Sequence, residues 1–171
     1  MSVDIHCFVE SYDKESNEWN EEYFIDGQSN EKIPVYDDRD YGLFGVLAGV
    51  RSGFRGLVEP RGLPDDLSDE VKEEWNDGEF FGETWYDYCE LKAYVNSIVS
   101  CSEAIRQIVH VNEKDCMLDD ILGDMQDGDM LYVITEMESL VDFMQHINYA
   151  LSGYDKVPVP GDVRIVMWFD C

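Results

Sequence analysis

Val3, Ile5, Cys7 and Val9 alternate with Asp4, His6, Phe8 and Glu10, a period of two that predicts a β-strand at the start of the chain. The polar run Asp13-Lys14-Glu15-Ser16-Asn17 predicts a turn, and Trp19 to Ile25 a returning strand with acids on its outer face. Residues 26–40 read as a polar loop. Asp40 is placed to cap a helix over Tyr41 to Arg51, with Leu43, Phe44, Leu47 and Val50 on one apolar stripe. Gly42, Gly45 and Gly49 weaken that helix in isolation, so it has to pack closely against something. Gly53, Gly56, Pro60, Gly62 and Pro64 punctuate a long irregular loop.

Ser68 next caps a short acidic helix reaching about Trp75, where Asp69 and Glu70 suit the positive end of the helix dipole. Asp87 or Thr84 opens another helix, with Leu91, Tyr94, Val95, Ile98 and Val99 at helical spacing, and a shorter helical stretch covers Ala104 to Val109. Thr135-Glu136-Met137-Glu138 has the form of a capping box. Met137, Leu140, Val141, Met144, Ile147 and Leu151 follow as a core-facing stripe, and Gly153 ends it. After Pro158 and Pro160, Val163 to Phe169 reads as a final strand with Arg164 near its start. The order predicts one α+β domain over residues 1–171. A small antiparallel sheet contains the N-terminal hairpin and the C-terminal strand, with helices packed on one face.

Charge changes this picture most. The chain carries 38 Asp and Glu against 12 Lys and Arg, a formal net charge of −26 in 171 residues. The excess is banded: 12 acids against 3 bases in residues 1–40, 11 against 1 in 62–90, and 10 against 1 in 113–142. Such a surface repels nucleic acid and anionic membrane and attracts basic partners at long range. It equals the phosphate charge of about 13 base pairs of DNA. Hydrophobic content of 44% and aromatic content of 13% argue against disorder as the outlet for that charge.

The remaining chemistry is sparse. No apolar run approaches the length of a membrane span, and the N-terminus lacks the basic start and apolar core of a signal peptide. Cys7, Cys89, Cys101, Cys116 and Cys171 are scattered and odd in number, which reads as reduced thiols rather than a disulfide frame or zinc site. His6, His110 and His146 have no zinc-ligand spacing, and Asp124 to Asp129 departs from a calcium loop, so no metal or cofactor is expected. A basic aromatic face for direct nucleic-acid binding is missing as well.

Several segments resemble a family of small bacteriophage and prophage proteins. They are Val3-Asp4-Ile5-His6, Arg39-Asp40-Tyr41-Gly42-Leu43-Phe44, Leu47-Ala48-Gly49-Val50-Arg51, Pro60-Arg61-Gly62-Leu63-Pro64-Asp65-Asp66 and the closing Val163 to Asp170. Family members open Met-Gly-Cys-Asp-Ile-His and end Trp-Phe-Asp-Asn. The resemblance implies a phage origin and a bacterial cytosol, and it names no reaction. Val3 stands where relatives carry Cys, and Gly82 to Asp87 stands where they carry a His- and Ser-containing segment. Both departures favour binding over catalysis, and no catalytic residue is assigned.

Two sites are therefore expected. The first is an acidic face for a basic host protein, a DNA-handling or defence factor, formed by Asp65, Asp66, Asp69, Glu70, Glu73, Glu74, Asp119, Asp120, Asp124, Asp127 and Asp129. The alternative is a nucleotide or phosphate site built from His6, Arg39, Arg51, Arg55 and Arg61, which include four of the six arginines. A homodimer is compatible with either.

Overall fold

The computed structural model describes residues 3–50, 59–96, 127–151 and 157–170. Six strands and four helices are present among them: β1 (Asp4–Asp13), β2 (Glu18–Glu22), β3 (Phe24–Ile25), β4 (Lys32–Ile33), α1 (Tyr41–Ala48), α2 (Asp69–Asn76), β5 (Phe81–Asp87), α3 (88–96), α4 (Asp127–Ala150) and β6 (Val163–Asp170). Four strands form an antiparallel sheet in the order β2-β1-β6-β5, and β3 and β4 form a separate ribbon. The fold is α+β, and the sheet joins the N-terminal hairpin to the C-terminal strand.

Alternation in β1 and β6 sorts the two faces. Ile5, Cys7 and Val9 meet Ile165, Met167 and Phe169 on one side, where α1, α3 and α4 add Leu43, Phe44, Leu47, Leu91, Val95, Leu140, Phe143 and Ile147. The other side carries Phe8, Trp85, Val166 and Trp168, covered by Val71 and Trp75 of α2. Helices thus cover both faces, three on one and α2 on the other. Seven of the eight residues of β6 are buried, because this strand has a neighbour on each edge and a core on each face. Fully burying a side chain such as Phe169 contributes about 1.5–3 kcal/mol.

Local signals explain most boundaries. Asp40 caps α1 by accepting from Leu43 N at 3.0 Å, and Gly49, left-handed at φ 68°, ends the helix at Ala48 rather than Arg51. Ser68 caps α2, and the Asp87 carboxylate accepts from the backbone N–H groups of Cys89 and Glu90 at the start of α3.

The structure corrects three expectations. The strand read over Trp19 to Ile25 is divided, because β2 leaves β1 after Glu22 while Phe24–Ile25 pairs with Lys32–Ile33. Strand β5 replaces what read as a pre-helical segment. Gly82, at φ 68° beside a register shift, obscures the alternation there. Helix α4 covers Asp127–Ala150, so the capping box at Thr135 lies inside it. No proline separates 127 from 135, so the helix runs through the Thr135 pattern without a break. The helical stretch at 104–109 and the stop at Gly153 lie outside the described residues.

Candidate functional site

Arg164 organises the sheet end from which the site is built. Its side chain is 5% exposed and its partner Glu10 is 0% exposed. Arg164 donates from Nε to Glu10 Oε2 at 2.6 Å, and from its Nη atoms to Asp66 Oδ1 at 2.6 Å and the Asp66 carbonyl at 2.8 Å. Its guanidinium also lies 3.8 Å from the centre of the Trp19 ring, and Trp19 Nε1 donates to Asp66. The second oxygen of Glu10 accepts from Ser68 N at 2.8 Å, the residue that caps α2. A buried ion pair thereby fixes the start of α2 against β1 and β6. Arg164 holds the Asp66 carboxyl below its ordinary pKa.

Anchored there, α2 forms one wall of a cleft of about 520 Å³. The floor is the run Asp4 to Phe8 of β1; Glu21 and Glu22 close one end, and residues 32–37 form the opposite wall. Glu70, Glu73 and Glu74 face it from α2, where all three are exposed. Seven carboxylates line the cleft, against Lys32 and His6. Three are engaged: Arg39 binds Asp4 through two nitrogens, Lys32 donates to Glu21 at 2.9 Å, and Ser11 Oγ donates to Glu22. Asp37, Glu73 and Glu74 form no ion pair among the described residues. The Arg39 hydrogen bond lowers the Asp4 pKa, and the Glu21 hydrogen bond raises that of Lys32.

Acids distant in sequence thus meet in space. Asp4, Glu21, Glu22 and Asp37 come from the first acidic band, and Glu70, Glu73 and Glu74 from the second. Asp69 is exposed in the first turn of α2. Asp65 and Asp66 line a different cleft of about 640 Å³ with Trp19, Leu63, Pro64, Trp85 and Arg164, and Asp66 is already taken up by Arg164 and Trp19. Asp127 and Asp129 lie in α4, whereas Asp119, Asp120 and Asp124 lie outside the described residues.

The arginines do not assemble into one anion site where they are described. Arg39 sits with Asp4, whose strand partner is Asp170. Arg61 binds both Glu90 oxygens at 2.6 and 2.7 Å and lies over Trp85, toward the Arg164 end of the sheet. Trp85 pairs with Val166, four residues along β6 from Asp170, roughly 13 Å. His6 Nε2 lies 3.2 Å from Asp170 Oδ2, with its ring against Phe80 and Trp168. Arg51 and Arg55 lie outside the described residues.

Cys7 faces the core, where burial pushes its thiol pKa up and makes the thiolate inaccessible as a nucleophile. Among the described residues no cluster of three or more His, Cys, Asp or Glu is arranged to hold a metal, and no helix is long and apolar enough to cross a membrane. The Glu10–Arg164 pair and the contribution of β1 to the cleft escaped sequence reading. Arg164 near the start of an apolar strand was the available signal for the pair. No protein-family model, curated protein or solved structure matches the chain.

Proposed function

We propose that this protein is a phage accessory protein that acts by binding. It inhibits a basic host protein, a DNA-handling or defence factor of the bacterial cytoplasm, by covering the surface that protein uses for phosphates. The observation that carries this reading is the convergence of two acidic bands on one cleft, with the exposed glutamates of α2 as a wall. Carboxylates held in this way present fixed negative charge to an incoming cation-rich surface. They accelerate encounter and weaken it as salt rises. The described arginines support the same reading, since Arg39, Arg61 and Arg164 all turn toward carboxylates. The phage origin rests on the sequence resemblance.

The test replaces Asp69, Glu70, Glu73 and Glu74 with Lys. Ser68 still caps the helix, and circular dichroism with thermal unfolding verifies the fold. Tagged wild-type protein is expected to retain one basic nucleic-acid-handling protein from a bacterial lysate at low salt and to release it at high salt or to excess DNA. The folded quadruple variant is expected to capture none. Equal capture by the variant overturns the proposal.

A further inference from the structure

We infer that the second cleft, the one of about 640 Å³ beside Asp65 and Asp66, receives an arginine side chain of the partner. This rests on the proposed engagement of a basic protein and adds a contact made apart from the α2 glutamates. Trp19 of β2, Arg164 of β6 and Trp85 and Asp87 of β5 line the cleft from the sheet, while Leu63 to Asp66 and Gly161 line it from the loops. Two indoles, Leu63 and Pro64 supply apolar surface with a few polar groups set among them, the make-up of a pocket for one specific group.

Charge decides the class of occupant. Arg164 brings no free positive charge, because Glu10 and Asp66 both compensate it. Asp65, exposed at the rim, and Asp87 have no ion pair among the described residues. Asp87 accepts from the backbone N–H groups of Cys89, Glu90 and Gly161, which fix the carboxylate without cancelling its charge. A phosphate entering here would meet three carboxylates, and a metal ion would lack a ligand set among the described residues. An organic cation meets carboxylates and indoles together.

Arginine suits the cleft better than lysine. Its guanidinium is planar, forked and weakly hydrated, so it stacks on an indole while it bonds a carboxylate. The fold already uses that pairing twice. Arg164 lies 3.8 Å from the centre of the Trp19 ring and donates to Asp66, and Arg61 lies 5.2 Å from the centre of the Trp85 ring and donates to both Glu90 oxygens. Arg61 does not line the cleft, so the part of Trp85 that does is left for another group. A second copy of this chain is a poor donor, because each described arginine is already bonded to a carboxylate.

Three small probes test this on the intact protein: the amides of N-acetylarginine, N-acetyllysine and N-acetylcitrulline, the last a neutral isostere of the first. Titrations are followed by NMR at the indole N–H signals, with Trp85→Phe assigning that of Trp85. The arginine probe is expected to shift the Trp85 signal, the citrulline probe to bind at least about tenfold more weakly, and the lysine probe to bind more weakly than arginine. Asp65→Asn is expected to weaken the arginine probe about twofold to fivefold. An unshifted Trp85 signal, or equal affinity for arginine and either other probe, overturns the pocket. The α2 charge-reversed protein is expected to bind the arginine probe as wild type does, because none of its substituted residues lines this cleft. Loss of capture by that variant with no probe binding to wild type sinks the pocket alone, and retained capture with probe binding sinks the acidic-face reading alone. Asp65→Lys is expected to release the captured protein at lower salt than Asp142→Lys, which has the same net charge but its change on α4, across the sheet. Release of both at the same salt overturns the assignment of the pocket to the partner.

Discussion

Glu10 holds two donors from opposite directions, the Arg164 guanidinium and the backbone N–H of Ser68, in a site from which water is excluded. Removing one member of a buried pair leaves the other charge without compensation, typically at a cost of about 3–5 kcal/mol. Glu10→Gln is therefore expected to lower stability by about 3–5 kcal/mol in urea unfolding. The double change Glu10→Met with Arg164→Met is expected to lose less than the two single losses combined, because no buried charge is left unpaired and the exposed Asp66 carboxylate is solvated. Glu90 provides a pH-dependent counterpart. Its hydrogen bond from Arg61 lowers its pKa from an ordinary value of 4.5, so the folded state binds that proton less readily than the unfolded state does. The resulting stabilisation is fully present above that ordinary value and is lost as pH falls through the lower folded value. Glu90→Gln is expected to be less stable than wild type at pH 7, with the gap closing in acid unfolding below about pH 4.5.

Helix α2 and strand β5 show how short elements are held. The first has one fully buried residue, Val71, so its position depends on the Ser68 cap, the Glu10 contact and the packing of Trp75 beside Trp168. The second reaches β6 through an irregularity at Gly82. A Cβ there would approach Phe169 and Val50 at 3.1 Å, with the backbone at φ +68°. Gly82→Ala is expected to cost about 1–3 kcal/mol in thermal or urea unfolding. Gly27→Ala serves as the matched control, because nothing lies within 4 Å of its added Cβ and its backbone is not left-handed. A loss at position 27 equal to that at 82 would contradict this account of the bulge.

A net charge of −26 on one small fold acts on stability and on binding in opposite directions. Self-repulsion of the compact state weakens as salt screens it, over a Debye length of about 10 Å at 0.1 M. Sodium chloride is therefore expected to raise the thermal midpoint while it weakens capture of a basic partner. A midpoint that falls with salt would show that specific ion pairs such as Lys14–Asp162 and Lys32–Glu21 outweigh the general repulsion. Both described acidic bands contribute to the same cleft, so reversing Glu73 and Glu74, which lie beyond the first turn of α2, should raise stability slightly even as it weakens binding.

Local patterns were enough to place β1, the Asp40 and Ser68 caps, the core stripe of α4 and β6, because spacing and capping act between near neighbours along the chain. The same patterns identified α2 as acidic and named Glu70, Glu73 and Glu74. They did not reveal β5, whose alternation is interrupted by Gly82, or that the capping pattern at Thr135 occurs within a longer helix. Nor could they join Glu10 to Arg164, because either residue alone reads as a polar position on a strand. Strand pairing of the two chain ends brings that ion pair together, fixes α2 over the sheet, and places glutamates from one acidic band opposite β1 carboxylates from another. Charge along the chain set the sign of the surface, and long-range pairing gave it a cleft, since convergence in space depends on contacts that no local spacing encodes.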